Sequence, residues 1–289
     1  MNKMNSYNSM LLIGAAALFA ACTNEDTPES AASSNEVAFI CQYADQTRVT
    51  DTKFEAKDEI GVYMTAKDTP LQIGGNELNN EMFSYSGSAW TAARKVYWDN
   101  GEHDVYAYYP YAAKVNDTED YTFDLPIDQS TAAGYSSADF VWASAKGVTA
   151  SASPVTLKFA HRMSKAVIRL EKSDDYEGEI PSDCKVSVLS TATTASVDLS
   201  TGGVSKATDS ATSTIVAKKV SDTEYHAIVV PQNIESRRPL IEVETQGVSY
   251  LMEGKLSFKQ GYSHTIVVTL SKNPSQTKIE IGGSIGGWN

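Results

Sequence analysis

Glu36-Val37-Ala38-Phe39-Ile40-Cys41-Gln42-Tyr43 (residues 36–43) places large apolar groups at Val37, Phe39, Cys41 and Tyr43, with mostly smaller or polar residues between them. A period of two marks a strand with one face on a core. The same short, punctuated pattern returns at Ile60–Thr65, Met82–Tyr85, Lys95–Trp98, Val105–Tyr109, Val155–Phe159, Lys165–Leu170 and Lys185–Leu189. It continues at Ala195–Leu199, Ser213–Ala217, Tyr225–Val230, Leu240–Val243, Val248–Met252, Thr265–Leu270 and Lys278–Ile281. Val, Ile, Thr and Tyr dominate these runs, and clusters of Gly, Asn, Asp and Ser separate them, as short antiparallel strands require. Tyr85-Ser86-Gly87-Ser88-Ala89-Trp90 reads as a hairpin whose aromatic pair flanks a glycine turn. No window of twelve residues carries a helical stripe, so the expected fold class is all-β. Fifteen tyrosines against eight phenylalanines suit half-buried sheet faces whose hydroxyls reach water.

One abrupt change of composition, Ser173–Asp183 (SDDYEGEIPSD), separates two strand-rich halves. It predicts two tandem antiparallel β-sandwich domains, Greek-key-like and of ordinary size, at residues 36–172 and 183–289. Residues 22–35, polar and acidic, read as a flexible tether. Ahead of it, Lys3 and the apolar run Met10–Ala21 have the layout of a secretory signal, residues 1–21. The run is too short to cross roughly 30 Å of hydrocarbon. Phe19-Ala20-Ala21-Cys22 resembles the bacterial lipobox, with Phe in place of the usual Leu. That resemblance implies cleavage before Cys22 and its acylation, palmitate included; several chains at about 0.8 kcal/mol per buried CH₂ make a firm anchor. A plain cleaved signal with an incidental cysteine is the alternative. Glu25 and Asp26 resemble the surface-export signal of Bacteroidetes lipoproteins, which implies the outer membrane and the cell surface.

The formal charge is −12, one unit more negative without Lys3. Such a chain repels phosphate backbones and anionic headgroups, which argues against nucleic acid as a partner. Beyond Cys22 only Cys41 and Cys184 remain, and a disulfide or two buried thiols are both open.

Four ordered segments carry a wider resemblance. They are Thr47-Arg48 with Phe54–Tyr63 (FEAKDEIGVY), Val96-Tyr97-Trp98 leading into Tyr106–Tyr111 (YAYYPY), Leu157–Lys165 (LKFAHRMSK) and Ala227–Gln232 (AIVVPQ). Together they resemble the fimbrillin family of Bacteroidales, the type V pilin and Mfa-like fimbrial lipoproteins. The resemblance implies two β-sandwich domains, secretion as a lipoprotein, and a role in fimbriae or cell adhesion with other fimbrial subunits as partners. It implies no enzymatic activity and no cofactor. A sandwich leaves unpaired strand edges that accept a foreign strand. In the family a protease removes the first strand after an arginine, and an extended segment of the next subunit replaces it. Arg48 matches that place, and Val37, Phe39, Cys41 and Tyr43 belong to the strand that would leave. A loop arginine beside a permanent edge strand is the other reading. The expected replacement comes from the C-terminus, where Ile279, Ile281, Gly283 and Ile285 repeat at period two behind Pro274. Lys278–Ile281 also reads as the last strand of its own domain. Trp288 suits an anchor in a partner's pocket or a tryptophan packed on its own domain.

Other chemistry fails on spacing. Gly282-Gly283-Ser284-Ile285-Gly286 spells the nucleophile elbow G-x-S-x-G, but that motif needs a following helix, acid and histidine. His103, His161, His226 and His264 show no metal spacing. Asp99–Glu102 and Asp174–Glu177 do not fit a twelve-residue calcium loop, and no carboxylate pair stands out for glycoside hydrolysis. No metal site is expected. Trp98 with Tyr106, Tyr108, Tyr109 and Tyr111 supplies the alternative function, a monomeric glycan-binding surface lipoprotein that stacks sugars on exposed rings. Tyr106 and Tyr108 share a strand face, which favours core packing instead.

Overall fold

Six consecutive residues, Ile60 to Thr65, are buried, which happens only where both faces of a strand are covered. The computed structural model describes residues 35–44, 53–151 and 153–288; the leader and nearly all of the tether lie outside them. The first strands are β1 (Phe39–Tyr43), β2 (Glu59–Ala66), β3 (Leu78–Tyr85), β4 (Trp90–Ala92), β5 (Glu102–Tyr109) and β6 (Tyr121–Asp124). A helix, α1 (Ala132–Ala138), precedes β7 (Val141–Thr149), β8 (Val155–His161) and β9 (Ser164–Lys172). There follow β10 (Lys185–Ala192), β11 (Thr194–Asp198), β12 (Gly203–Lys206), β13 (Thr212–Val216), β14 (Lys218–Lys219) and β15 (Glu224–Val229). The chain closes with β16 (Gln232–Thr245), β17 (Val248–Phe258), β18 (Tyr262–Leu270), a single 3₁₀ turn at Pro274–Gln276 and β19 (Lys278–Gly287).

The all-β expectation holds. The predicted hairpin also forms: Tyr85 pairs with Trp90, their rings stack 5.0 Å apart, and Gly87 takes φ +97° in the turn. Lys95–Trp98 is a correction, because Tyr97 makes only an isolated bridge to Glu36. Strands β7 and β12 and helix α1 have no clear apolar alternation, and the sequence reading passes over them; it also passes over β6, where Tyr121 and Phe123 alternate with exposed Thr122 and Asp124. The expectation of purely antiparallel sheets is corrected as well, since β1 runs parallel to β8 and β9 parallel to β18.

Among the described residues four sheets result, with strand orders β1-β8-β7-β5-β2-β3-β4, β13-β10-β16-β17, β12-β11-β6 and β14-β15-β9-β18-β19. The seven-stranded sheet curls until its edges β1 and β4 approach each other. Residues 35–37 close part of the seam, through Val37 N–H to Val96 O (2.8 Å) and Trp98 N–H to Asn35 O (2.8 Å). Inside the curl lies one core, with Val37, Phe39, Ile60, Val62, Phe83, Trp98, Val105 and Phe159. The alternate residues of β2, β5 and β7, namely Tyr63, Tyr106, Tyr108 and Trp142, face a second core. There the four- and five-stranded sheets contribute Val186, Val188, Ile241, Ile168, Ala227 and Ile266. Strand β9 bonds to β15 and β18, and β6 bonds to β11. The chain before Ser173 therefore lends two strands to sheets built from the chain after it. Residues Asn35–Asn289 cluster as one compact unit.

Candidate functional site

Strand β1 spans five residues, Phe39–Tyr43. Among the described residues it bonds along Phe39–Tyr43 to a single neighbour, β8, in register Phe39↔Val155 to Tyr43↔Phe159. Two further bonds fix its ends, Val155 N–H to Ala38 O (2.9 Å) and Ala44 N–H to Phe159 O (2.7 Å). An edge strand of this kind keeps one row of main-chain groups unpaired by sheet partners. Its inward face carries the adhesion to the core: Val37, Phe39 and Tyr43 are buried, while Cys41 is half-buried and Ile40 is 49 % exposed.

Phe39 meets Phe83 edge-on at 5.0 Å. Tyr43 lies 5.1 Å from Phe54 and 5.2 Å from His161. Phe54, the first residue of the FEAKDEIGVY segment, also touches Trp90, Tyr109 and Phe159 within 6 Å. The fully buried Leu157 and Phe159 complete the slot that β1 fills. A cleft lined by Lys53, Glu55, Asp58, Tyr109, Tyr135 and Asp139 opens beside Tyr43. Burial holds the Asp58 carboxyl above its ordinary range there, against the opposing hydrogen bond from Glu55 N–H (2.7 Å).

Strand β19 is the other edge of interest. Among the described residues it pairs antiparallel with β18 alone, from Thr269↔Lys278 to Tyr262↔Gly287, and the register shifts between His264 and Ile266. By backbone register Ile279 faces Val268, Ile281 faces Ile266 and Ile285 faces His264. Ile279 is half-buried against the second core. Trp288 is 6 % exposed. Its indole stacks on His161 with centroids 4.1 Å apart and planes within 4°. The Trp288 backbone N–H donates to Gly261 O at 2.8 Å, and Lys165 Nζ sits 5.7 Å from the ring. Here the tail packs on its own chain.

Cys22 and Arg48 lie outside the described residues. Cys41 and Cys184 are free thiols in separate cores, and burial raises both above the ordinary thiol value. The sequence shows no metal spacing at His161 and offers no role for Phe54 or Asp139. The structure brings them together, and the signal available was that FEAKDEIGVY and LKFAHRMSK flank the same strand edge.

The other candidates disperse. His103 pairs with Glu77, His226 with Glu224, and His264 accepts from Lys259 N–H. Among the described residues no group of three or more His, Cys, Asp or Glu side chains could hold a metal ion. The G-x-S-x-G segment lies within β19 and forms no elbow. Trp98 and Tyr108 are 4 % and 1 % exposed and belong to different cores, so they form no open stacking platform. Among the described residues no helix is long and apolar enough to cross a membrane.

Comparison with known proteins follows the same lines. A "Putative fimbrium tip subunit Fim1C" of Bacteroides ovatus is 29 % identical over 142 residues, which is 43 % of this chain and 26 % of that protein. The match thus spans about a quarter of the curated relative's length. The crystal structure of a "putative cell adhesion protein" from Bacteroides ovatus superposes with TM-score 0.69 at 20 % identity, over 88 % of this chain and 97 % of that one. A counterpart from Bacteroides uniformis gives 0.67 at 21 %, over 88 % and 98 %. At those identities the likeness establishes the fold. The family description "Fimbrillin-like" matches residues 47–288, a span that begins after β1 and takes in β19, and the chain belongs to that fimbrillin-like family.

Proposed function

We propose that this chain is a fimbrial subunit or a fimbria-associated adhesion protein, assembled with other subunits by strand exchange after proteolysis at Arg48. The observation that carries the reading is β1: an edge strand bonded along Phe39–Tyr43 to one neighbour, with Phe39 and Tyr43 plugged into an apolar slot. A strand held in this way can be replaced by one with the same main-chain pairing and apolar groups at alternate positions. The C-terminal segment carrying Ile279, Ile281, Ile285 and Trp288 is the proposed donor to a neighbouring molecule. Its docking on β18 in the single chain is then the resting state of a free subunit. Acylation at Cys22 would anchor the precursor at the outer membrane, and cleavage at Arg48 would free the subunit from it. The two-sandwich division at residues 173–183 belongs to the same proposal, with β6 and β9 lent across the break.

The test is digestion of the purified chain with an arginine-specific protease, followed by denaturing electrophoresis. Cleavage after Arg48 and a ladder of detergent-resistant multimers is the expected result, and the Arg48→Ala chain should give neither. Clean cutting at Arg48 without multimers would overturn strand exchange.

A further inference from the structure

His161 touches both the strand proposed to leave and the tail proposed to donate. It ends β8. One side of its ring meets Tyr43 of β1 at 5.2 Å, and Trp288 lies flat against the ring at 4.1 Å. Its Nδ1 sits 2.8 Å from Asp139 Oδ1, a carboxylate carried just beyond α1. Its Nε2 is buried and finds no hydrogen-bond partner. Asp139 and the two aromatic rings therefore set the orientation of this imidazole. Trp288 in turn is the buried group that ends β19, since Gly286 and Gly287 before it bring no side chain to the interface.

We infer that His161 is a positioning residue that couples the seating of β1 to the seating of the C-terminal strand. With Tyr43 in place, the imidazole is walled in and presents a fixed flat face to Trp288. When β1 departs, that wall is lost and water reaches the ring. The stack then loosens, and β19 frays from its Ile285–Gly287 end, where it pairs with Tyr262–His264 of β18. A subunit would release its own tail once its own slot had been vacated, which keeps precursors from joining prematurely. This purpose rests on the strand-exchange reading, whereas the coupling itself is a property of the intact single chain. Coupling between two seats is reciprocal by thermodynamic necessity.

Hydrogen exchange followed by mass spectrometry on the full, uncleaved chain tests it, with β17 as internal reference. Tyr43→Ala should speed exchange of amides 285–288 about tenfold, and Trp288→Ala should speed amides 39–43 by the same factor. In a His161→Ala background, Tyr43→Ala should have no further effect on the tail. If Tyr43→Ala also accelerates β17, the fold as a whole is affected, and the Trp288→Ala measurement at residues 39–43 decides. The inference fails if the tail responds by less than about twofold, or if the Tyr43 and Trp288 effects simply add in the double variant. A missing multimer ladder would sink strand exchange and leave this result standing.

Discussion

Gly61 stands directly across from Tyr108, and the tyrosine ring lies over the place a side chain would occupy. A Cβ at Gly61 would fall inside contact distance of the Tyr108 ring and 2.5 Å from Asn80 Oδ1. Neither neighbour can retreat easily. The Tyr108 hydroxyl donates to Asn80 Oδ1 at 2.8 Å, and Asn80 Nδ2 donates to Ala112 O at 2.7 Å. The glycine of the FEAKDEIGVY segment is thus a seat for an aromatic ring. Gly61→Ala is expected to cost about 1–3 kcal/mol by overpacking, read as a melting temperature lower by roughly 5 °C. An unchanged melting temperature would mean that the ring moves aside freely. Tyr106 and Tyr108 share one face of β5, as their spacing implies. What spacing alone could not tell is that the opposite face, with Val105 and Ala107, is equally buried in another core.

At the scale of elements, β1 and β19 are alike in being edge strands held by one neighbour, yet they differ in what holds them. Strand β1 relies on Phe39 and Tyr43 in an aromatic slot, and the last turn of β19 relies on Trp288 against His161. Deleting residues 282–289 removes that stack and the pairing of Tyr262–His264 with Ile285–Gly287. Loss of a buried tryptophan contact costs about 3 kcal/mol or more, so urea denaturation of the truncated chain should have its midpoint clearly lowered. A tail that serves a neighbour alone would leave the midpoint where it was. The orientation of β1 was not legible in its residues, since alternation shows a buried face without saying which strand lies alongside or in which direction. Its partner β8 begins more than a hundred residues later, and the parallel register is set by closure of the curled sheet.

For the whole molecule, the break at Ser173–Asp183 and the strand pairing divide the chain in different places. β9 precedes the break, yet both of its neighbours, β15 and β18, follow it. A fragment covering residues 36–172 would expose Ala166, Ile168 and Leu170 and leave both edges of β9 open, an invitation to aggregation. Expressed alone it is expected to precipitate, and co-expressed with residues 173–289 it should be recovered as a soluble complex. A monodisperse, folded 36–172 fragment would show that β9 is dispensable to it. The aromatic-rich composition makes sense at this scale. Two cores share one sheet, and the rings of β2, β5 and β7 fill the space between that sheet and the strands of the second half.

Strand character was written in the sequence, because a period of two, β-branched and aromatic residues and Gly-bounded turns act locally and survive without knowledge of neighbours. The Tyr85–Trp90 hairpin is the clearest case: its turn glycine and flanking rings are adjacent in the chain and close on each other directly. Tertiary structure alone decided which edges stay open, where β6 and β9 are shared, and that Tyr43, His161 and Trp288 meet. Those contacts join residues far apart in the chain, Tyr43 with His161 and His161 with Trp288 by more than a hundred positions, and the pairing that creates them depends on how the whole sheet curls around its core.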